Sequence, residues 1–336
     1  MATTSEHPAT ERAADPMLPV IVAKIHFGTI AVNGYRSLHV GTLSAGRLLS
    51  TRGLRVVFAA NPTTAELARL FCLKVLLRRK FRVAVFDLIL RRPANPRERL
   101  LAWLKAIILK TVDMFLLIHK DTRGYQRYFG IAAQRCRYIP FKANNLRFID
   151  RLSPTDGDYI VSCGASHRDF DTLLQAVAPL GYSTVIVLSE HAARAHNARL
   201  DASLMGPHVR RLHDVDDPLR FNEIIARARL VVVPILPDTL QPAGISVYLE
   251  AMALGKPVIV TRGTSTEGII DERLAVLVPP GDVAALRSAI RDLWQDDHRR
   301  RELGRAGQAF ALSLGGNERM VADIARHIAM LCEERP

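Results

Sequence analysis

The sequence predicts an α/β protein in which two parallel-sheet domains face each other. Short apolar segments rich in Val, Ile and Leu alternate with longer amphipathic segments, and this series occurs twice along the 336 residues. A polar stretch at residues 142–158 contains Asn, Pro and Gly and separates the two series as a linker. A chain of this length also exceeds an average single domain, so two domains are expected.

In the first series, four apolar segments are predicted strands: residues 20–28, 54–60, 81–90 and 114–119. The amphipathic segments between them are predicted helices: residues 35–53, 63–79 and 95–112. Gly53 ends the first of these helices, and Pro96 lies near the start of the third. Residues 122–130 and 136–141 complete the unit.

In the second series, five apolar segments are predicted strands: residues 159–164, 183–189, 230–236, 257–263 and 274–282. Helices are predicted at residues 169–181, 218–228, 283–295 and 317–334, with one more beginning near Ile245. The predicted boundaries are a first domain at 18–150, a second domain at 151–316 and a C-terminal helix within 317–336. Residues 1–17 are polar and carry both charge signs, which predicts a disordered tail and not a signal peptide.

The composition is that of a globular protein with apolar cores, with 49% hydrophobic and 24% charged residues. The four cysteines are scattered without the spacing of a zinc site or a disulfide framework, so neither is predicted, and a reduced, cytoplasmic setting fits best. No run of about 18 apolar residues is present, so no membrane-spanning segment is predicted.

The net charge of +13 is concentrated in the first domain. Between Arg52 and Lys142 there are 20 Lys or Arg against five acidic residues, a local excess of +15, whereas the rest of the chain carries −2. Such an asymmetry indicates an anionic surface or partner for this half of the protein alone.

Two segments in residues 70–110 have the composition of elements that lie on an anionic bilayer. The helix at 95–112 and the segment at 72–82 combine large apolar side chains with Lys and Arg, and the local charge excess favours peripheral association with the inner face of the cytoplasmic membrane. The alternative for either helix is an ordinary sheet-covering helix with a basic solvent face. Nucleic acid is not an expected partner, because aromatic residues make up only 6% of the chain and no recognition motif is present.

The stretch QPAGISVYLEAMALGKPVIV, residues 241–260, predicts an anion site at the start of a helix. Gly244 precedes the helix, and the unpaired amides of Ile245 and Ser246, together with the helix dipole, favour a phosphate there. Glu250 lies four residues after Ser246 on the same helical face, where its carboxylate can accept from the two hydroxyls of a ribose. The alternative is that Glu250 is solvated or caps a local group.

A second phosphate element is predicted in YIVSCGASHRDFDTLLQAV, residues 159–177. Gly164 allows the backbone to approach an anion closely, and Arg168 offers a bidentate guanidinium to a diphosphate. An ordinary strand-to-helix turn with an exposed Arg is the alternative. The chain contains neither a G-x-G-x-x-G fingerprint nor a G-x-x-x-x-G-K-[ST] loop, which argues against dinucleotide and ATP sites.

Taken together, residues 158 to about 312 resemble the C-terminal domain of GT-B glycosyltransferases of the retaining family 4 type, most specifically between Leu249 and Asp282. The resemblance implies two Rossmann-like domains facing a cleft, and transfer of a sugar from a nucleotide-diphosphate sugar. That sugar is a co-substrate, and no cofactor is expected. The donor is expected in the second domain and the acceptor in the first. The C-terminal helix is expected to pack back across the cleft, as in similar proteins.

The resemblance also implies roles for individual residues. Glu250 would bind the ribose, while Arg168, with Gly164 beside it and the amides of Ile245 and Ser246, would neutralise the departing diphosphate without a metal ion. This sequence departs from the family at Pro242, where another glutamate usually contacts the donor sugar. We consider Asp238, the nearest upstream carboxylate, as a substitute.

Acceptor-side candidates are fewer. His119 ends the strand predicted at 114–119, at the edge where the cleft is expected, and His26 lies near the end of the first strand. Asp87 interrupts the strand predicted at 81–90. Each can hydrogen-bond an acceptor hydroxyl or be an ordinary polar residue at a strand end. The acceptor expected from the basic half is lipid-linked or a polymer, as in polysaccharide biosynthesis. Two alternatives remain open: a nucleotide-sugar epimerase on the same fold, and a catalytically silent partner that binds the nucleotide-sugar.

Overall fold

The computed structural model describes residues 18–213, 215–237 and 239–333. The tail predicted at 1–17 lies outside the described residues, as do Asp238 and the last three positions of the C-terminal segment. The described chain contains two six-stranded sheets in which every pairing is parallel. Such sheets need helices on both faces, which explains why most of their strands are continuous apolar runs.

The first sheet has the strand order β2-β1-β3-β4-β5-β6. Its strands are β1 Val20–Lys24, β2 Arg36–His39, β3 Leu54–Ala60, β4 Arg82–Phe86, β5 Met114–Leu117 and β6 Cys136–Tyr138. Its helices are α1 Ala45–Ser50, α2 Thr64–Phe71, α3 Pro96–Leu109 and α4 Arg123–Phe129, and α2 continues into a π-helical turn at Cys72–Leu76. The side chain of Asn95 caps α3 by accepting from the amide of Glu98, and Pro96 occupies the first turn.

The helix predicted at 35–53 is wrong in its first half, and only residues 45–50 are helical. Residues Arg36–His39 instead form β2, which pairs with β1 from Val20↔Arg36 onwards, and the shorter α1 follows only after Ser44 caps it. An edge strand needs only one row of hydrogen bonds and little apolar surface, so its pattern is weak in the sequence. The strand predicted at 81–90 ends early because Asp87 takes a left-handed conformation with φ +51°.

The second sheet has the strand order β12-β11-β10-β7-β8-β9. Its strands are β7 Ile160–Cys163, β8 Thr184–Val187, β9 Val209–Leu212, β10 Leu230–Val233, β11 Val258–Thr261 and β12 Val276–Val278. The chain reverses its direction of winding between β7 and β10, which are neighbours in the sheet. Ligands of open parallel sheets bind at the carboxyl ends of the strands at such a switch point.

The remaining helices are α5 Leu146–Ile149, α6 Phe170–Val177, α7 Glu190–Ala195, α8 Pro218–Ala226, α9 Ile245–Ala253, α10 Val283–Gln295, α11 Asp297–Ser313 and α12 Asn317–Glu333. The sequence did not predict β9, α5, α7 or α11 as elements, and α5 lies within the stretch that was predicted as a linker. In β9 the segment VRRL carries two arginines, which is compatible with an edge strand but hides its apolar pattern.

Helix α12 packs against the first sheet, next to β3 and β4. Its buried face consists of Met320, Ile324, Ile328 and Leu331. Gly28 lies so close to it that a β-carbon there would be 2.8 Å from Val321, and the Asn317 amide donates to the Phe27 carbonyl. One apolar cluster therefore continues from the first sheet through α12 into the second domain. Within the described residues, no helix combines the length and the apolar character needed to cross a bilayer.

Candidate functional site

The start of α9 lies at the carboxyl edge of the second sheet, in the loop that follows β10. Gly244 precedes the helix with φ +90°, a conformation that L side chains rarely adopt. A β-carbon on Gly244 would also meet Cγ1 of Val233 at 2.9 Å, so only glycine fits. Glycine has no side chain that could cap the helix, and no side chain of the described residues accepts from the amides of Ile245 or Ser246. These amides and the helix dipole are therefore available to an anion.

Arg168 places a positive charge beside this helix start. Its side chain is 2% exposed, and its Nη1 lies 3.6 Å from the point that a β-carbon of Gly244 would occupy. Gly164, with φ +86°, borders the guanidinium on the other side, since a β-carbon there would be 2.7 Å from Nη2. The loops that follow β7 and β10 thus meet at the switch point with an arginine between them.

The Arg168 guanidinium is held by backbone and has no acidic counter-ion among residues 18–213, 215–237 and 239–333. Its Nε donates to the carbonyl of Cys163 at 3.0 Å, and Nη1 donates to the carbonyl of Ser166 at 2.8 Å. Burial lowers the pKa of Arg168 to about 10, which still leaves it protonated at neutral pH. A buried charge without a counter-ion is costly, and an anionic ligand would offset that cost.

Glu250 lies one turn into α9 and is 4% exposed. Its Oε1 accepts from Nδ2 of Asn145 at 2.6 Å, and Asn145 belongs to the linker between the domains. Burial raises the pKa of Glu250 to about 7, while the Asn145 hydrogen bond and the charge of Lys142 act in the opposite direction. The predicted ribose contact of Glu250 stays a prediction.

One cavity between the domains, the basic cleft cavity, has a volume of about 300 Å³. Arg91 and Arg92 line it from the first domain, and His167, Asn197 and Arg199 line it from the second, together with residues 236, 237 and 239–241. Cations from both domains therefore face the same space, which is an environment suited to a phosphate or a carboxylate.

A second cavity, the threonine cleft cavity, has a volume of about 280 Å³. Asp121 and Arg92 line it from the first domain, and Thr239, Thr261 and Thr264 contribute hydroxyls from the second. The Thr264 hydroxyl donates to the Thr239 carbonyl at 2.9 Å, which holds the loop after β10 in place. Hydroxyl and carboxylate groups of this kind are suited to hydrogen-bonding a sugar.

His119 lies just after β5, and the residue next to it bridges the domains. The Nζ of Lys120 donates to the carbonyl of Gly268 at 2.8 Å. The Nδ1 of His119 is 2.9 Å from the Asp121 carbonyl, and because a carbonyl only accepts, Nδ1 carries the hydrogen. Burial lowers the pKa of His119, so the neutral ring keeps a lone pair on Nε2. That Nε2 is buried without a partner among the described residues.

Asp87 follows β4 at the same edge of the first sheet, in the left-handed region with φ +51°. Its carboxylate is hydrogen-bonded by the Asn61 side chain, and burial outweighs this bond and raises the pKa of Asp87. Asn61 follows β3 and is also left-handed, with φ +46°. His26 is exposed after β1 and packs edge-on against Phe27. The sheet thus brings all three predicted acceptor-side residues to its carboxyl edge.

The structure brings some of the predicted donor-binding residues together, and the predicted roles of others stay predictions. Gly164, Arg168 and Gly244 come together at the switch point with the first amides of α9. Asp238 lies outside the described residues, so its proposed role stays a prediction. Pro242 lies in the loop between Thr239 and Gly244, where the amide of Ala243 donates to the Gln241 carbonyl at 2.8 Å.

Sequence reasoning missed several residues around this site. Asn145 was assigned only to a polar linker, although its left-handed conformation, φ +54°, is one that Asn adopts more readily than most residues. Lys120 directly follows a predicted site residue and could have been suspected for that reason. Arg91, Arg92 and Arg199 were counted as charges, and only the tertiary structure brings them to one cavity.

Comparison with known proteins finds a family match within the second domain. Residues 158–296 match the family model described as Glycosyl transferases group 1. The chain is 40% identical over 67 residues to the GDP-mannose-dependent alpha-(1-6)-phosphatidylinositol monomannoside mannosyltransferase of Mycolicibacterium smegmatis, covering 20% of this chain and 18% of that protein. It is 32% identical over 149 residues to the D-rhamnosyltransferase WbpZ of Pseudomonas aeruginosa, covering 43% of this chain and 37% of that protein. The chain therefore matches well under half the length of either curated relative.

Among solved structures, the Anabaena protein HepE in complex with UDP-glucose superposes with a TM-score of 0.61 at 13% identity. The match covers 93% of this chain and all of that one, so both sheets and their arrangement are shared. At this identity the likeness establishes the fold alone. Residues 158–296 thus match a model of group 1 glycosyltransferases, and they lie within a GT-B fold of two Rossmann-like domains.

Proposed function

We propose that this protein is a glycosyltransferase that transfers a sugar from a nucleotide-diphosphate sugar to an acceptor hydroxyl. The observation that carries the proposal is the buried Arg168 guanidinium, which sits between Gly164 and Gly244 at the start of α9 without an acidic counter-ion among the described residues. The group 1 domain and the transferase names of both curated relatives support it. The UDP-glucose complex of HepE supports a nucleotide-sugar as donor.

In this proposal the diphosphate lies on the amides of Ile245 and Ser246 and beside Arg168. The bond between the anomeric carbon and the β-phosphate oxygen breaks, and the electron pair leaves with the nucleoside diphosphate. The acceptor oxygen forms the new bond on the same face of the sugar, with retention of configuration, and its proton passes to the departing phosphate. Fixed amides and a guanidinium stabilise the developing charge, so the proposal includes neither a metal ion nor a resident cofactor.

The nucleoside is placed by Glu250 in the same proposal. The carboxylate would exchange its hydrogen bond from Asn145 for two hydrogen bonds from the ribose hydroxyls. Because Asn145 lies in the linker, this exchange would couple donor binding to the position of the first domain. Two hydroxyl donors would also favour the ionised carboxylate, whose charge is disfavoured by burial.

The acceptor is proposed to approach from the first domain. The buried lone pair on Nε2 of His119 and the carboxylate of Asp87 would accept from sugar hydroxyls at the carboxyl edge of the first sheet. The mycobacterial relative acts, by its name, on a phosphatidylinositol monomannoside, which favours a lipid-linked acceptor over a polysaccharide.

A basic apolar patch on the first domain supports the proposal that the protein acts at the inner face of the cytoplasmic membrane. Large apolar side chains are exposed in two segments, with exposed fractions of 66% for Leu76, 57% for Leu77, 64% for Leu101 and 59% for Trp103. Exposed arginines and lysines at 78–80, 97 and 99 accompany them. Apolar side chains flanked by cations bind bilayers that contain anionic lipids.

The membrane proposal predicts co-sedimentation with phosphatidylglycerol vesicles that high salt weakens, because screening reduces the attraction of cations to the surface. Replacing an exposed apolar residue of the patch, Leu76→Glu, should weaken binding at least tenfold. The control Leu312→Glu changes a residue that is 48% exposed in the second domain and should leave binding unchanged. Equal binding to neutral phosphatidylcholine vesicles would contradict the proposal.

The donor site is tested by calorimetric titration with nucleoside diphosphates. A cognate nucleoside diphosphate should bind at least tenfold more tightly than its nucleoside, because the diphosphate supplies the counter-ion of Arg168. Arg168→Lys should weaken that binding by about tenfold or more, since lysine loses the bidentate guanidinium. The control Arg123→Lys, at a side chain that is 75% exposed, should bind normally.

Turnover separates the candidate activities. Slow release of nucleoside diphosphate from the donor is expected for a transferase. Binding without release would indicate a silent partner, and equal affinity for nucleoside and nucleoside diphosphate would contradict the site itself. The last comparison uses the unmodified protein, so it remains decisive if Arg168→Lys fails to fold.

A further inference from the structure

An apolar groove in the first domain has no part in the donor site. It has a volume of about 610 Å³, about twice that of either cleft cavity, and lies within the ~300–1,000 Å³ range of small-molecule sites. Helix α3 forms one wall with Leu101, Leu104 and Ile108, and Ile89 and Phe129 contribute to the rest. Leu101 and Ile89 are more than half exposed, so an apolar surface faces solvent along the groove.

One end of this groove is cationic and opens to the cleft. Arg91 and Arg92 line both the groove and the basic cleft cavity, so the two spaces adjoin at these residues. Lys105 adds another cation to the wall. The acidic residue of the lining, Glu98, is occupied at the start of α3, where its carboxylate accepts from the amide of Ala94 at 2.7 Å and from Nδ2 of Asn95 at 2.9 Å.

We propose that the groove binds the hydrocarbon chain of a long-chain lipid phosphate whose phosphate lies against Arg91 at the entrance to the cleft. The inference rests on the proposed function, because the occupant would be the lipid carrier of the acceptor sugar. A free sugar phosphate would leave the aliphatic wall unused, and a polysaccharide would find few hydrogen-bonding groups along it. A single molecule with an apolar chain and an anionic head complements both parts of the surface.

The placement has a consequence for the reaction. A sugar attached to the phosphate at Arg91 would extend into the basic cleft cavity, whose opposite wall contains Arg199 and the loop after β10. That loop leads directly to Gly244 and the start of α9. The acceptor hydroxyl would then face the donor site across the cleft, without any need for the lipid chain to enter it.

The test is calorimetric titration of the full chain with geranylgeranyl phosphate, geranylgeraniol and inorganic phosphate, each below any micelle concentration. The lipid phosphate should bind at least tenfold more tightly than either of the others. Arg91→Gln should weaken binding of the lipid phosphate about tenfold and leave binding of the alcohol unchanged, whereas Leu104→Gln should weaken both. Leu49→Gln, at a residue 45% exposed in α1 and outside the groove, is the control.

Equal binding of the lipid phosphate by the unmodified protein, Arg91→Gln and Leu104→Gln would overturn the proposal, as would inorganic phosphate binding as tightly as the lipid. The proposed function fails separately. If the lipid phosphate binds the groove while nucleoside diphosphates do not bind, the groove proposal is supported and the donor-site proposal is contradicted. Arg168→Lys should lose nucleotide affinity and keep lipid affinity, since Arg168 does not line the groove.

Discussion

Replacing Glu250 by glutamine tests the burial of the carboxylate at the centre of the donor site. Burial raises the pKa of this group from 4.5 to about 7 in the folded protein. A shift of one pKa unit corresponds to about 1.4 kcal/mol, so folding disfavours the ionised form of Glu250 relative to the protonated form by about 3 kcal/mol. Glutamine cannot ionise but keeps an oxygen that can accept from Asn145.

The sign of the effect follows from the direction of the pKa shift. The folded state binds the proton of Glu250 more tightly than the unfolded state does, so this group's contribution to stability is fully present below pH 4.5. It falls as the pH rises to about 7 and is lost above that value. The free energy of unfolding of Glu250→Gln, relative to the unmodified protein, should therefore increase by about 3 kcal/mol between pH 4.5 and pH 8.

The measurement is urea denaturation of both proteins at several pH values, followed by circular dichroism and by the fluorescence of the two tryptophans, of which Trp294 stacks on Tyr182 in the second domain. Using the difference between variants cancels the titration of all other groups. Glu302→Gln, at a side chain that is 55% exposed, is the matched control for replacing a carboxylate that is not buried. Parallel pH profiles for Glu250→Gln and the unmodified protein would refute the reasoning, because the carboxylate would then be solvated in the folded state.

Two further predictions concern stability. Gly244→Ala should lower the free energy of unfolding by about 2 kcal/mol or more, because φ is +90° and the new methyl group would meet Val233. The control Gly46→Ala, in an open position of α1, should raise the free energy of unfolding by up to about 1 kcal/mol. Thermal melts that rank the two variants in the opposite order would contradict this prediction. Arg300→Met should cost about 3 kcal/mol in urea denaturation, because the 4% exposed guanidinium pairs with Asp156 at 2.9 Å and donates to two carbonyls. The neighbouring Arg301→Met, at a side chain 63% exposed, should cost under about 1 kcal/mol, and similar losses for both would count against the burial argument.

The alternation of apolar strands and amphipathic helices predicted the fold class, because strands buried on both faces must be almost entirely apolar. The same pattern failed to predict strands that are not buried on both faces. The edge strands β2 and β9 carry polar residues on exposed surfaces, so the first was read as a helix and the second was not recognised. The early end of β4 depends on the left-handed backbone of Asp87, which no local pattern of apolar residues reveals.

For the site, local sequence was informative where a backbone requirement restricts the residue. Gly164 and Gly244 were found because glycine before a helix allows conformations and close approaches that other residues do not. Arg168 followed from its place in a strand-to-helix turn, but its burial and its contact with the start of α9 come from another loop. The contact between Glu250 and Asn145 spans 105 positions and could not be read from either segment.

The sequence by itself determined the two parallel sheets, the glycines at their strand ends, the positive charge of the first domain and the likeness of the second to a glycosyltransferase domain. These properties depend on residues close together in the chain or on simple counts. Only the tertiary structure decided that Arg168 lies at the start of α9, that Glu250 is buried against the linker, and that Arg91 and Arg92 join an apolar groove to the cleft. Each of these depends on which distant segments pack together. Packing decides which side chains are buried, and burial sets the free-energy cost of a charge.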